Sequence, residues 1–198
     1  MCAMNVNLDE VHIQLICSDD KHIYNNVKEE NKKKLKEIIK RVYIGNSEDS
    51  KNALLLNNTH ITHIIIIRCS KEDYTTRIIF PHKFEYYIID LKKELDFTKC
   101  SHFKFLLDEI LFENSKNKVF IHSYFCIKNI LSLLIFYIVT TLKYDIQYVI
   151  SYIKKIVTNF EISHEDINKI YYFTKRHQLT YYPGEYTKYV DIMDNKQC

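Results

Sequence analysis

The residues of most chemical promise lie in KVFIHSYFCIKNILS, Lys118 to Ser132. Its left half, ending at His122, reads as a buried β-strand, and its right half starts a helix. At such a strand–loop–helix junction, free backbone N–H groups and the helix macrodipole can gather on an anion. Between strand and helix stand Ser123, Tyr124, Phe125, Cys126, Ile127, Lys128 and Asn129: a hydroxyl, a thiol, a cation and an amide, with no glycine. Cys126 could be a nucleophile in its thiolate form. A structural thiol is the plainer reading. Lys128 falls in the first helical turn, where a cation opposes the dipole. It is either an anion contact or a solvated side chain, and solvation is favoured. Tyr124 and Phe125 make the loop aromatic, which suits a protein contact or self-packing better than a phosphate cradle.

Other candidates carry less. His60 and His63 have metal-like HxxH spacing, yet no further ligand is near, so both read as structural. His164 and Asp166 look like capping residues of a late helix rather than a catalytic dyad. The six cysteines, Cys2, Cys17, Cys69, Cys100, Cys126 and Cys198, form no CxxC pair and follow no signal peptide, so reduced thiols are expected. Asn57-Asn58-Thr59 matches a glycosylation sequon, which has no meaning without secretion.

The elements that position the loop follow from periodicity. Residues 1–22 show no clear period, and residues 24–40 read as a charged, solvated helix. Arg41–Asn46 is a short strand stopped by Gly45 and Asn46, and the segment from Ser47 to Asn58 is one short helix capped by Ser47 or Ser50. Ile64 to Ile67 is a continuous β-branched run, the mark of a strand covered on both faces. Phe84–Leu91 is a third strand, and Thr98–Ser115 an amphipathic helix with Phe103, Leu106, Leu107, Ile110 and Leu111 on one face. After the strand KVFIH come helical segments at about 129–142, 145–158 and 164–177, and YYPGEY then breaks the pattern. Strands alternating with helices predict an α/β fold with a mainly parallel sheet, whose ligands bind at the carboxyl ends of the strands. The loop after His122 is at such an end.

Composition excludes several classes. With 28 basic and 25 acidic side chains, the formal charge is only +3, which argues against a dedicated nucleic-acid binder. The apolar run Ile130 to Leu142 is short of the ~20 residues a membrane span needs, so it reads as a core helix.

Taken in order, VYIGN, ALLLNNTHITHIIIIR, FEYYIIDL, KVFIHS, SLLIFYIVTTLKYDIQYVISYIKKI and FEISHEDINKIYYF resemble a dual-specificity protein phosphatase domain over about residues 36 to 175. The resemblance implies the fold of the protein tyrosine phosphatase superfamily: α/β, with a central, mainly parallel sheet of about four to five strands flanked by helices. It divides the chain into an N-terminal extension with a charged helix (1–35), the phosphatase-like domain (36–178) and a polar C-terminal tail (179–198).

In that family the loop reads His-Cys, five residues, Arg, then Ser or Thr, with a central Gly. The Cys, held as thiolate at the helix N-terminus, attacks phosphorus. The Arg fork clamps phosphate oxygens, and an Asp from another loop protonates the leaving oxygen. On this pattern His122 matches the family His, Ser123 stands for the Cys, Cys126 for the Gly, Asn129 for the Arg and Ile130 for the hydroxyl residue. The general-acid position falls on Lys93, with Asp90 and Glu94 nearby. A serine hydroxyl without a visible base stays protonated, Asn129 cannot clamp as a charged fork, and Lys93 is a poor acid here. So many losses in one machine imply a site released from phosphoryl transfer. The sequence is most similar to the STYX-type, catalytically inactive pseudophosphatases, which usually keep the Gly and Arg; this chain keeps neither.

The expectation is thus a non-enzymatic binding, scaffold or competitor module in phosphorylation signalling. Its partner is a protein, with a kinase or phosphoprotein as candidates, and it needs no cofactor, metal, nucleic acid or membrane span. The compartment expected is cytoplasmic, with the nucleus as a second location. The alternatives are a weak phosphatase with a degenerate loop and a structural subunit with the same fold.

Overall fold

The computed structural model describes residues 34–69, 77–91, 95–124, 127–157 and 160–181. Five strands form one sheet: β1 (Lys36–Ile39), β2 (Val42–Asn46), β3 (His63–Cys69), β4 (Glu85–Leu91) and β5 (Val119–Ser123). Their spatial order is β1-β2-β5-β3-β4, with β1 antiparallel to β2 and all other pairs parallel. Six helices connect and cover the strands: α1 (Ser47–Ser50), α2 (Ala53–Asn58), α3 (Phe97–Glu113), α4 (Ile127–Leu142), α5 (Ile146–Ile156) and α6 (His164–Tyr181).

Strand alternation sorts the core into two layers. Val42, Ile44, Ile65, Ile67, Ile89, Val119 and Ile121 face one way and pack with α3, α4, α5 and α6. Tyr43, Ile64, Ile66, Phe84 and Phe120 face the other way and pack with Leu56 of α2 and Ile61. Ile64, Ile65, Ile66 and Ile67 are all fully buried, so the continuous apolar run does mark a strand covered on both faces. At about 1.5–3 kcal/mol per buried Ile side chain, this strand is a major source of core stability. From Ile130 to Ile138, α4 is buried on every side. That is the property of a central core helix. Among the described residues no helix is long and apolar enough to cross a membrane.

Several expectations need correction. The charged helix predicted over 24–40 does not reach its end: Lys36–Ile39 is a strand, with Ile38 and Ile39 fully buried, while residues 24–33 lie outside the described residues. Pairing with β2 and burial of the two isoleucines override the local charge pattern. Gly45 does not stop β2 but lies within it. A Cβ there would stand 2.7 Å from Asp49 Oδ2 and 2.8 Å from Phe120 Cε2, so only glycine lets β2, α1 and β5 approach this closely. The segment after it forms two helices rather than one. Asn46 caps α1 in a reciprocal box with Asp49, and Asn52 caps α2, so neither expected serine does so. At the other end, α6 runs on to Tyr181, past the expected end at 177 and into the expected tail.

Candidate functional site

The candidate loop joins the end of β5 to the start of α4, at the carboxyl edge of the sheet. His122 and Ser123 are residues of β5 and both are buried, at 2% and 5% exposure. Alternation sends them to opposite faces. His122 lies on the α1–α2 side, stacked on Phe120 with ring centroids 5.4 Å apart, and burial pushes its imidazole down to about 4 against the opposing pull of Asp49. Ser123 follows Val119 and Ile121 towards α4. Tyr124 and Ile127 are exposed, at 49% and 42%. Phe125 and Cys126 lie outside the described residues, as do Lys93 and Glu94.

Asn129, in the first turn of α4, is half-buried. Its amide Nδ2 lies 3.4 Å from Cys69 Sγ, at the end of β3. The Asn129 side chain therefore points at the sheet, as a neutral amide. Lys128 is exposed and, with Asn129 and Ser132, lines a cleft of about 320 Å³. The other wall carries Glu165, Asp166 and Lys169 of α6, so the charges there are mixed. At the head of α6 the cap is Ser163, which accepts from Asp166 N and donates to Asp166 Oδ2. Asp166 thus takes part in capping as expected, while His164 is the first helical residue and not the cap.

Asp90 stands on β4 with its side chain on the α1–α2 face, where alternation also puts Tyr86. There Arg68 holds it in a two-point fork, Nε to Oδ1 at 2.7 Å and Nη2 to Oδ2 at 2.8 Å. Hydrogen bonding from Arg68 keeps the Asp90 carboxyl below its ordinary value, so near neutral pH it is a carboxylate and has no proton to give. Ser123 and Asp90 are directed to opposite faces of the sheet, and the structure does not bring them together. Sequence reasoning missed this fork. Arg68 and Asp90 are 22 positions apart, and only the β3–β4 register aligns them.

The histidines of the HxxH pair serve the fold. His63 is 4% exposed; its Nδ1 shares a 2.7 Å hydrogen bond with Thr62 Oγ1, and its Nε2 lies 3.2 Å from Glu85 Oε2. His60 is exposed and sits at φ 59°, in the left-handed turn after α2. Among the described residues no group of three or more His, Cys, Asp or Glu side chains could hold a metal ion. The cysteine reading fails at one position. Cys69 is disulfide-bonded, whereas Cys100 is a free, fully buried thiol whose ionisation burial pushes far up. The expectation of a reducing compartment rested on unpaired thiols and loses that support at Cys69.

By sequence, neither a protein-family model nor a curated protein matches this chain. Solved structures do match in fold. The human tyrosine phosphatase-like serine/threonine/tyrosine-interacting protein superposes with a TM-score of 0.65 at 19% identity, covering 73% of this chain and 97% of its own. A leucine rich repeat and phosphatase domain containing protein from Entamoeba histolytica gives 0.57 at 14% identity, over 75% of this chain and 95% of that one. A variant of human DUSP28 gives 0.57 at 7% identity, over 71% and 93%. The chain has the fold of the dual-specificity and protein-tyrosine-phosphatase-like phosphatases.

Proposed function

We propose that this chain is a pseudophosphatase: a phosphatase-like domain that binds or anchors a protein partner in phosphorylation signalling and does not hydrolyse phosphate esters. The observation that carries this reading is the Asn129 amide, 3.4 Å from Cys69 Sγ, where a phosphatase of this fold needs a charged, two-pronged arginine. Ser123 in place of the nucleophile supports it, and so does Asp90, held ionised by Arg68 on the opposite face from Ser123. The exposed aromatic Tyr124 and apolar Ile127 beside the loop suit a protein contact better than a phosphate cradle. A kinase or a phosphoprotein is the class of partner that a competitor of active phosphatases would engage.

Purified full chain incubated with a generic aryl phosphate tests the reading. We expect no turnover above buffer. Turnover that disappears in Cys126→Ser would sink it and support a displaced nucleophile instead. Calorimetry with inorganic phosphate or tungstate should show no measurable heat of binding, because the loop has lost both its glycine and its arginine.

A further inference from the structure

We propose that the cleft between the heads of α4 and α6 binds a free α-amino acid with an apolar side chain, its carboxylate towards α4 and its ammonium towards α6. The cleft holds about 320 Å³, at the small end of the roughly 300–1,000 Å³ of small-molecule sites. Such a site is separate from a protein contact and does not depend on whether the chain hydrolyses phosphate esters.

Ser132 is the residue that points to a ligand. It lines the cleft at only 8% exposure, and its hydroxyl has no hydrogen-bond partner among the described residues. A buried helical hydroxyl commonly donates to the carbonyl one turn back, as Thr140 does to Phe136. Buried polar groups left without a partner are rare and costly, and the cleft is the side from which one can reach Ser132. Lys128 stands one turn earlier on the same face of α4, exposed and without an ion pair among the described residues. Both belong to the first two turns of a 16-residue helix, whose N-terminal end carries partial positive charge. A hydroxyl donor, an ammonium group and the helix end together draw a carboxylate to the α4 wall.

The α6 wall draws the opposite charge. Glu165, in the first turn of α6, is exposed and has no ion pair among the described residues. Asp166 beside it already accepts from Ser163 at Oδ2, which makes Glu165 the principal acceptor for an ammonium group. With Lys169 the lining carries two cations and two anions. A lining of zero net charge with its poles on opposite walls suits a zwitterion, whereas a free inorganic anion would face both carboxylates of α6. Leu95 and Ile170 supply the apolar part of the lining, where an aliphatic side chain is shielded from water. A peptide does not offer the same pair of charges on one carbon, because its amide bonds block one or both.

The test is titration of the full chain with L-leucine, followed by the amide signals in two-dimensional NMR at neutral pH. Saturable shifts should centre on residues 128–132 and 163–170. Leucinamide lacks the carboxylate and N-acetylleucine lacks the ammonium, so each should bind about tenfold more weakly. Ser132→Ala and Glu165→Gln should each weaken L-leucine by about fivefold or more, and the remaining signals report that each variant is folded. Glu165→Gln should also narrow the gap between L-leucine and N-acetylleucine, which a general loosening of the fold does not do. No saturable shift at millimolar L-leucine, equal binding of either blocked analogue, or saturable binding of inorganic phosphate in place of L-leucine would overturn the assignment.

Discussion

Arg68 and Asp90 face each other across β3 and β4 in exact register, and the guanidinium meets both carboxylate oxygens at 2.7 and 2.8 Å. The fork uses the charge of Asp90, three residues before the position, Lys93, where the sequence resemblance puts a proton donor. Replacing Arg68 by Gln should let the Asp90 carboxyl rise towards its ordinary value, visible in its carbon chemical shift through an acid titration. The pair is half-exposed, so the cost in stability should stay within about 1 kcal/mol. Aryl phosphate turnover should remain absent, because freeing Asp90 does not move it to the face of Ser123.

Stability should fall with acid through two buried imidazoles. Burial pushes both His122 and His177 down to about 4, and Lys104 and Lys143 add to the effect at His177. The unfolded chain takes up these protons near pH 6.5, whereas the folded chain resists until about 4. Protons thus favour the unfolded state between those values. The stabilisation is complete above the unfolded pKa and shrinks as pH falls towards 4, by at most about 1.4 kcal/mol per pH unit for each group. Urea unfolding at stepped pH values should show this slope, and His177→Gln should flatten it by about half.

Gly45→Ala places a methyl group 2.7 Å from Asp49 Oδ2 and 2.8 Å from Phe120. Asp49 is tied to the α1 cap and Phe120 is fully buried under the His122 ring, so neither has room to yield. The expected loss is about 1–3 kcal/mol, read from denaturant midpoints. An unchanged midpoint would mean that α1 moves away freely.

A thiol at position 123 should not by itself give phosphatase chemistry. Ser123→Cys supplies a thiol on the α4 face, but without a cationic fork or an acid the phosphorane-like charge has no support. Turnover of an aryl phosphate should stay at background in Ser123→Cys and rise above it only when Asn129→Arg is added. Activity in the single variant would mean that the neutral Asn129 does not limit the loop.

The strands and helices that make the layers were legible because their patterns are strong. Ile64–Ile67 has no polar side to expose, and the apolar face of α3 repeats at helical spacing. β1 was not legible: Lys36 and Glu37 look like helix surface, and the strand exists because Ile38 and Ile39 find the core beside β2. The loop was legible in residue types but not in contacts. Asn129 and Cys69 are 60 positions apart, and their meeting depends on β3 and β5 lying side by side.

The residue types at the junction, Ser123 and Asn129 after His122, are a property of the sequence by itself: a hydroxyl and a neutral amide. Tertiary structure alone decided which neighbours those residues have. Strand order and register bring Arg68 to Asp90 and Asn129 to Cys69, and alternation about the sheet parts Asp90 from Ser123. Side-chain identity is local, but direction and distance are set by long-range pairing that no local pattern encodes.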